Sequence, residues 1–311
     1  MISKYATSSG FLLLCPGQGA QHGAMFDLAR SHPQANALLE RLTTSLPAAG
    51  GDLFANRTAQ PLVVAATLTM WEALRADAPP PALVAGYSIG ELAAYGVAGA
   101  LSAEQTLTLA HRRAQAMDDC LVDHPGQALV AMSGVIVQQA LALAARHDFV
   151  LSIETGDDSC ITGGPAAKAD ALAQAVHAAG GRATRLPVTV ASHTPYMVGA
   201  VHPFAQALEQ QNFTTMAAPV LAGISATAIN EKQCAVDQLS RQLAEPIRWA
   251  ACMDACAEAG ITCALELGPG NALSRMLQAR HPHINTRSVA DFRTLDGIQK
   301  WLARAVSDYS G

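Results

Sequence analysis

The stretch Gly86–Gly90 reads GYSIG and has the form G-x-S-x-G, with Ser88 between two glycines. Such a pentapeptide is typical of a nucleophile elbow, a sharp turn between a strand and a helix that exposes a serine hydroxyl. It is short enough to arise by chance, so its neighbours decide its meaning. Leu83–Gly86 is an apolar run that follows three prolines, and the sequence from Ile89 onward has the apolar spacing of a helix. This strand–turn–helix context favours Ser88 as a nucleophile.

A serine hydroxyl needs a base to remove its proton, and histidine is the usual base near neutral pH. Among the ten histidines, His193 differs from the others because it follows an apolar, β-rich run and precedes Thr194 and Pro195, where a strand would end. Functional groups of open α/β sheets gather at strand ends. The position predicts that His193 is the catalytic base, and the alternative is a histidine with a purely structural role.

The oxyanion that forms during acyl transfer needs fixed hydrogen-bond donors. In a nucleophile elbow one donor is the backbone N–H of the residue after the serine, here Ile89. A second donor is expected from the loop after another strand, and the glycine-rich loop PGQGAQ offers the amide of Gln18. The same loop could bind a dinucleotide, but its glycines space as G-x-G-x-x-x-G and His22 takes the place of the third fingerprint glycine. This mismatch disfavours a nucleotide-dependent oxidoreductase.

An arginine is predicted at the edge of a buried helix face. Ser102–Gln105 forms a capping-box pattern and predicts the start of a helix. At 100° per residue, Arg112 lies about opposite the apolar stripe of this helix, whereas Arg113 lies roughly 80° from its centre. Arg112 is therefore expected in solvent, and Arg113 at a position where its charge needs a partner. The stripe consists of Leu107, Ala110, Ala114 and Met117.

Composition narrows the class of protein. The chain has 311 residues, 50% apolar and 14% charged, which is enough for a large core, and its net charge of −5 gives no basic surface for nucleic acid. Seven cysteines without a C-x-x-C pair favour reduced thiols in the cytoplasm. Cys252 and Cys256 are spaced to share a metal, but without a second pair they are better read as buried apolar residues. The first apolar run, Phe11–Cys15, is too short for a signal peptide or a membrane span.

The order of apolar segments predicts two structural parts. From about residue 125 to about residue 188 the segments follow the order strand, helix, strand, strand, helix, strand, which is the ferredoxin-like pattern. The sequence therefore predicts an α/β protein in which residues 1–124 and 189–311 form a large domain. Residues 125–188 form a small βαββαβ subdomain inserted into it.

Five segments stand out along the chain: CPGQGAQ, GYSIGELAAYGVAGAL, RRAQAM, VASH and ELGPGNAL. They occur in the order seen in malonyl-CoA:acyl carrier protein transacylases, and on them the chain resembles this family from Phe11 to about Leu277. The resemblance implies an α/β-hydrolase-like large domain carrying the inserted ferredoxin-like subdomain.

The resemblance also implies roles for individual residues. Ser88 would carry the acyl group, and His193 would be its base, oriented by a backbone carbonyl. Gln18 and Ile89 would supply the oxyanion amides, and Arg113 would hold the free carboxylate of a malonyl group. The implied substrates are malonyl-CoA and the phosphopantetheine thiol of an acyl carrier protein, with no metal or other cofactor.

Three departures from the family pattern bear on the biological role. Tyr87 stands where a histidine is common before the serine, Arg248 stands where fatty-acid enzymes usually have glutamine, and IETGDDS replaces an asparagine-rich stretch. The segment GYSIGELAAYG resembles the epsilon subunits of bacterial malonate decarboxylases, whose partners include the other decarboxylase subunits. That role is the favoured prediction, and a transacylase of fatty-acid or polyketide synthesis is the alternative. A serine hydrolase or thioesterase and a non-catalytic carrier-binding scaffold are the alternatives from other classes.

Overall fold

The computed structural model describes residues 10–47 and 50–307. The first nine and last four residues of the predicted large domain lie outside the described residues. Within those ranges no helix combines the length and the apolar character that crossing a bilayer requires. The strands are β1 (Phe11–Cys15), β2 (Leu83–Gly86), β3 (Gln127–Ser133), β4 (Val150–Gly156), β5 (Ser159–Pro165), β6 (Arg182–Arg185), β7 (Val220–Leu221), β8 (Ala228–Ile229), β9 (Ile247–Arg248), β10 (Cys263–Glu266) and β11 (Asn285–Ser288). The α-helices are α1 (Asp27–Arg30), α2 (Pro33–Thr43), α3 (Asn56–Leu74), α4 (Ile89–Val97), α5 (Ala103–Asp123), α6 (Val137–Ala145), α7 (Ala169–Ala178), α8 (Val198–Glu209), α9 (Lys232–Arg241), α10 (Trp249–Glu258), α11 (Ala272–Arg280) and α12 (Leu295–Ser307).

The first sheet has the strand order β11-β10-β1-β2-β7-β8. All its neighbouring strands pair in parallel except β7 and β8, which are antiparallel. Every residue of β1, β2 and β10 is buried. Continuous apolar runs are what a parallel sheet covered on both faces requires, so the strands predicted at Phe11–Cys15 and Leu83–Gly86 are confirmed.

The second sheet has the strand order β6-β3-β5-β4-β9. Its first four strands pair antiparallel and, together with α6 and α7, follow the predicted order β-α-β-β-α-β. The ferredoxin-like pattern is thus confirmed. The fifth strand, β9, comes from far outside the predicted insertion and pairs in parallel with β4. Ile153 of β4 and Ile247 of β9 also share an apolar core with Leu12 and Leu14 of β1, which joins the two sheets.

Helix α3 begins earlier than the sequence indicates. The apolar spacing of Pro61–Leu74 predicts a helix with Pro61 in its first turn, but the helix begins at Asn56 and contains Pro61 in its interior. The prediction was wrong because a tertiary contact extends the helix. The buried Asn56 amide donates to the Ala114 carbonyl at 3.1 Å and to an Asp118 carboxylate oxygen at 2.8 Å, both on α5. Such contacts offset the one helical hydrogen bond that an internal proline removes.

The segment RATRLPVTVAS, residues 182–192, predicts one strand, but the observed strand β6 is shorter and ends at Arg185. Pro187 has no N–H to offer a sheet ladder. The backbone N–H groups that follow find other acceptors: Ala191 N donates to Gln127 Oε1 at 2.7 Å, and His193 N donates to the Leu243 carbonyl at 2.8 Å. Residues 186–194 therefore form a loop, and its second half, residues 190–194, is buried and held by these hydrogen bonds.

Candidate active site

Ser88 lies on a strained turn between β2 and α4. Its backbone has φ 57° and ψ −119°, a conformation that residues other than glycine rarely adopt. The two flanking glycines permit the turn. A Cβ at Gly86 would lie 2.2 Å from the Gly90 backbone, and a Cβ at Gly90 would lie 2.1 Å from the Cys15 carbonyl oxygen. Only glycine allows α4 to approach β1 this closely, so the G-x-S-x-G pattern forms the predicted elbow.

His193 meets Ser88 across 105 positions of the sequence. Its Nε2 lies 2.8 Å from Ser88 Oγ, and its Nδ1 lies 2.6 Å from the backbone carbonyl oxygen of Gln242. Because a carbonyl only accepts hydrogen bonds, Nδ1 carries the ring proton and donates a hydrogen bond to the Gln242 carbonyl. The lone pair of Nε2 then faces the serine hydroxyl, as a general base requires.

The prediction that His193 lies at the end of a strand was wrong, although the structure places its ring at the serine. It does not end a strand: it lies in the buried loop eight positions after β6, with φ 61°. The hydrogen bond from its own N–H to Leu243 and the hydrogen bond from its ring to Gln242 fix it there. Sequence reasoning did not find Gln242, since any residue type supplies a backbone carbonyl.

The environment keeps the imidazole neutral. Complete burial of His193 is the main reason that its pKa falls to about 3, and the positive charge of Arg113 lowers it further, while the hydrogen bond to Gln242 opposes the shift. Both main causes disfavour the charged ring. At neutral pH the histidine is therefore in the unprotonated form that a general base needs.

We expect this lowered pKa to appear in the pH dependence of acyl loading on Ser88. An ordinary histidine base would lose activity as the pH falls through about 6.5. Here the folded-state pKa is lowered, so the neutral base persists below that value and is lost only near the pKa of about 3. The loading rate, followed by intact mass between about pH 8 and pH 5, should show no acidic limb centred near 6.5. Burial raises the pKa of the nearby carboxyls Glu91 and Glu266 to about 7. A limb that remains in both Glu91→Gln and Glu266→Gln would contradict the assignment of a neutral His193.

Arg113 lies behind the serine on α5. Its side chain is 1% exposed, whereas the adjacent Arg112 is exposed, as the helical spacing predicts. The predicted capping box at Ser102 is present as well. The guanidinium makes four hydrogen bonds, all to uncharged groups: Nη1 to Gln60 Oε1 (2.8 Å) and Met117 Sδ (3.3 Å), and Nη2 to Gln242 Oε1 (3.2 Å) and Ser88 Oγ (3.5 Å).

Burial lowers the pKa of Arg113 to about 10, so the guanidinium stays charged at neutral pH. A buried cation that contacts only neutral groups is suited to receive an anion. Since Nη2 is 3.5 Å from Ser88 Oγ, this cation lies within reach of an acyl group carried by the serine. A planar guanidinium can hold a carboxylate through two parallel hydrogen bonds.

The predicted oxyanion donors flank the serine. Ile89 is the first residue of α4, directly after Ser88. Gln18 lies in the loop after β1 and lines the same cavity as Ser88, and a Cβ on its neighbour Gly17 would lie 3.8 Å from the Ser88 Cβ. The loop and the elbow are therefore in contact, as two converging donors require.

A cavity of about 370 Å³ opens on Ser88 and His193 between the two sheets. One wall comes from the loop after β1 and from the elbow, and the opposite wall comes from Leu129, Ile153 and Ile161 of the second sheet. Most of the lining is apolar, so an acyl group in the cavity would be shielded from water.

The residues matched by a known protein family include every element of this site. The sequence model described as "Acyl transferase domain" matches residues 12–290. The chain belongs to the acyl transferase domain family. It is an acyltransferase enzyme, and its relatives carry related names. The malonyl CoA-acyl carrier protein transacylase of Haemophilus influenzae is 27% identical over 311 residues, covering 94% of this chain and 99% of the relative.

Solved structures agree with the fold of this acyl transferase. The crystal structure of MCAT from Mycobacterium tuberculosis superimposes with a TM-score of 0.86 at 26% identity, covering 94% of this chain and 99% of that one. The malonyl-CoA:acyl carrier protein transacylase from Xanthomonas oryzae gives a TM-score of 0.86 at 27% identity, covering 96% and 99%. The predicted α/β fold with a large and a small part is thereby confirmed.

Of the three departures from the family pattern, Tyr87 and Arg248 differ in their distance from the chemistry of this acyl transferase. Tyr87 lines the cavity beside Ser88, and its ring meets Trp249 edge-on with centroids 5.2 Å apart. Arg248 is exposed on β9, where its backbone N–H donates to the Gly223 carbonyl at 2.8 Å. Of the two, Tyr87 is the residue placed to contact an acyl group. Cys252 and Cys256 are buried in an apolar core, as predicted.

Proposed function

We propose that this acyltransferase moves a malonyl group from malonyl-CoA to the phosphopantetheine-type thiol of an acyl carrier protein. The observation that carries the proposal is that Ser88 Oγ lies within 2.8 Å of a neutral histidine and 3.5 Å from a buried guanidinium with uncharged partners. The histidine suits acyl transfer, and the guanidinium suits an acyl group that ends in a carboxylate. The names of the relatives support the same substrates.

In the first half-reaction, His193 Nε2 takes the proton of Ser88 as Oγ attacks the thioester carbonyl of malonyl-CoA. The backbone N–H groups of Gln18 and Ile89 hold the oxyanion. The tetrahedral intermediate collapses by breaking the C–S bond, and coenzyme A leaves as a thiol with the proton from His193. The product is a malonyl ester on Ser88, its carboxylate held by Arg113.

The second half-reaction reverses these steps with a different thiol. His193 takes the proton of the carrier's phosphopantetheine thiol, whose sulfur attacks the ester carbonyl. The C–O bond to Ser88 breaks, and His193 returns the proton to the serine oxygen. These steps balance without a metal or a redox group, so we propose that no cofactor beyond the carrier's own prosthetic group takes part.

The two candidate biological roles differ in the acyl carrier protein that receives the malonyl group. The relatives are named for an acyl carrier protein, so we favour the fatty-acid or polyketide type of carrier over the carrier of a decarboxylase. The role as an acyl-loading subunit of malonate decarboxylase, with the other subunits as partners, rests on the resemblance of residues 86–96 alone. Seven free cysteines suit the proposed cytoplasmic location.

The test is to supply malonyl-CoA together with each kind of carrier in its phosphopantetheinylated form. We expect malonyl transfer to the fatty-acid or polyketide type of carrier to be the faster, measured by intact mass of the carrier. Faster transfer to the carrier of a malonate decarboxylase would reverse that choice. Release of free malonate without any loaded carrier would indicate a hydrolase, and carrier binding without an acyl-enzyme would indicate a scaffold.

A further inference from the structure

A fully buried carboxylate lies one helical turn beyond the serine. Glu91 is in the first turn of α4, three positions after Ser88, and is 0% exposed. It does not line the cavity. Its Oε2 accepts a hydrogen bond from the Gly223 backbone N–H at 2.8 Å and a second one from the side-chain Nε2 of Gln242. The complete burial of this acid requires an explanation, because removing a carboxylate from water costs free energy.

Gln242 connects this acid to the site. Its side-chain Oε1 accepts from Arg113 Nη2 at 3.2 Å, while its Nε2 donates to Glu91. A guanidinium can only donate and an ionised carboxylate can only accept, so the amide has one orientation that satisfies both. An amide side chain suits this position because it is uncharged and carries a donor and an acceptor in one rigid plane. The three side chains thus form a chain of hydrogen bonds from α4 to the cation at the serine.

The space around Glu91 is fitted to this arrangement. A Cβ at Gly223 would lie 2.9 Å from Glu91 Oε2 and 3.6 Å from Gln242 Nε2, so a side chain at that position would displace the carboxylate. Burial raises the pKa of Glu91 to about 7, while the hydrogen bonds from Gly223 and Gln242 and the charge of Arg113 oppose the rise. Two of these three groups, Gln242 and Arg113, belong to the same chain of hydrogen bonds.

We propose that Glu91 is a positioning residue for acyl specificity, acting through Gln242 to hold the Arg113 guanidinium where it meets the substrate carboxylate. This rests on the proposed malonyl transfer. Arg113 Nη1 is fixed by Gln60 and Met117, whereas Nη2, the nitrogen nearer the serine, depends on Gln242. Without Glu91 the amide is free to turn, and the Nη2 end of the guanidinium loses its fixed direction. An acetyl group has no carboxylate, so its loading does not depend on the orientation of the guanidinium.

The test compares the loading of Ser88 from malonyl-CoA and from acetyl-CoA in Glu91→Leu and Glu91→Gln. We expect Glu91→Leu to lower the malonyl-to-acetyl loading ratio at least about tenfold, the size of one lost charge-assisted hydrogen bond. Glu91→Gln keeps an acceptor oxygen for Gln242 and should restore the ratio to within about threefold of the wild type. An equal fall for both acyl groups, or a glutamine variant as poor as the leucine variant, would overturn the proposal.

Leu92→Ala is the matched control, since Leu92 is buried on the same turn of α4 but belongs to the apolar core. It should lower the thermal stability while leaving the loading ratio unchanged, and a ratio that falls with it would overturn the proposal. If Glu91→Leu does not fold, Gly223→Ala displaces the same carboxylate and should lower the ratio in the same direction. A wild type without a malonyl adduct would refute the proposed function instead, which keeps the two failures distinct.

Discussion

Replacing Ser88 by alanine should abolish the covalent malonyl-enzyme. The hydroxyl is the atom that His193 Nε2 faces at 2.8 Å, and its removal leaves the base without a nucleophile. Loss of a catalytic serine typically lowers turnover by a factor of about a thousand or more, because the rest of the site only binds and polarises the substrate. The measurement is the intact mass of the protein after incubation with malonyl-CoA, and the adduct seen in the wild type should be absent in the variant.

Two features of the site make the result of this experiment easy to interpret. The Ser88 side chain makes no capping hydrogen bond to α4, so alanine should leave the helix and the melting temperature unchanged. Ser192 also lines the cavity and carries an aliphatic hydroxyl that could be acylated in its place. Ser192→Ala is therefore the matched control and should retain the adduct. A malonyl adduct that survives in Ser88→Ala would remove the serine from the mechanism.

Local patterns predicted the parts of the site that local structure builds. The elbow at Ser88 follows from two glycines and the strand and helix beside them, and the strained φ of 57° fits that reading. Arg113 was predicted from the spacing of one helix, because the capping box fixes where α5 starts and therefore which face each residue takes. In both cases neighbours within a few positions determine the geometry.

The remaining parts depend on contacts between distant segments, which leave no local pattern. Gln242 meets His193 across 49 positions and Glu91 across 151. Nothing near Gln242 in the sequence indicates that its carbonyl orients a base while its amide separates two buried charges. Glu91 was equally hidden, because an acidic residue in the first turn of a helix is ordinarily explained by the helix dipole and expected in solvent.

The loop before His193 shows how an incorrect premise can still select a residue that lies at the serine. Its apolar residues resemble a strand because they are buried, and Val190 and Ala191 are both 0% exposed. Burial here is achieved by a loop whose N–H groups bond to Gln127 and Leu243. An apolar run predicts burial more reliably than it predicts a strand, since a strand and a packed loop can both bury apolar side chains.

Replacing Arg113 by alanine should separate malonyl from acetyl loading. Removing one member of a buried charge pair costs about 2–5 kcal/mol, or roughly a thirtyfold to several-thousandfold loss. We therefore expect malonyl loading in Arg113→Ala to fall about a hundredfold or more. Acetyl loading should change by less than about tenfold, since an acetyl group makes no ion pair with the guanidinium. The measurement is the initial rate of Ser88 acylation from each thioester.

Two further variants show whether the geometry or merely the charge of Arg113 is responsible. Arg113→Lys keeps a cation but replaces the planar fork by a single ammonium, so it should recover only part of the malonyl rate. Arg112→Ala removes the same charge one position away, on the exposed face of α5, and should leave both rates unchanged. Undiminished malonyl loading in Arg113→Ala would show that the buried cation does not hold the acyl carboxylate. In that case the proposed malonyl specificity would lose its physical basis, while acyl transfer through Ser88 and His193 would still stand.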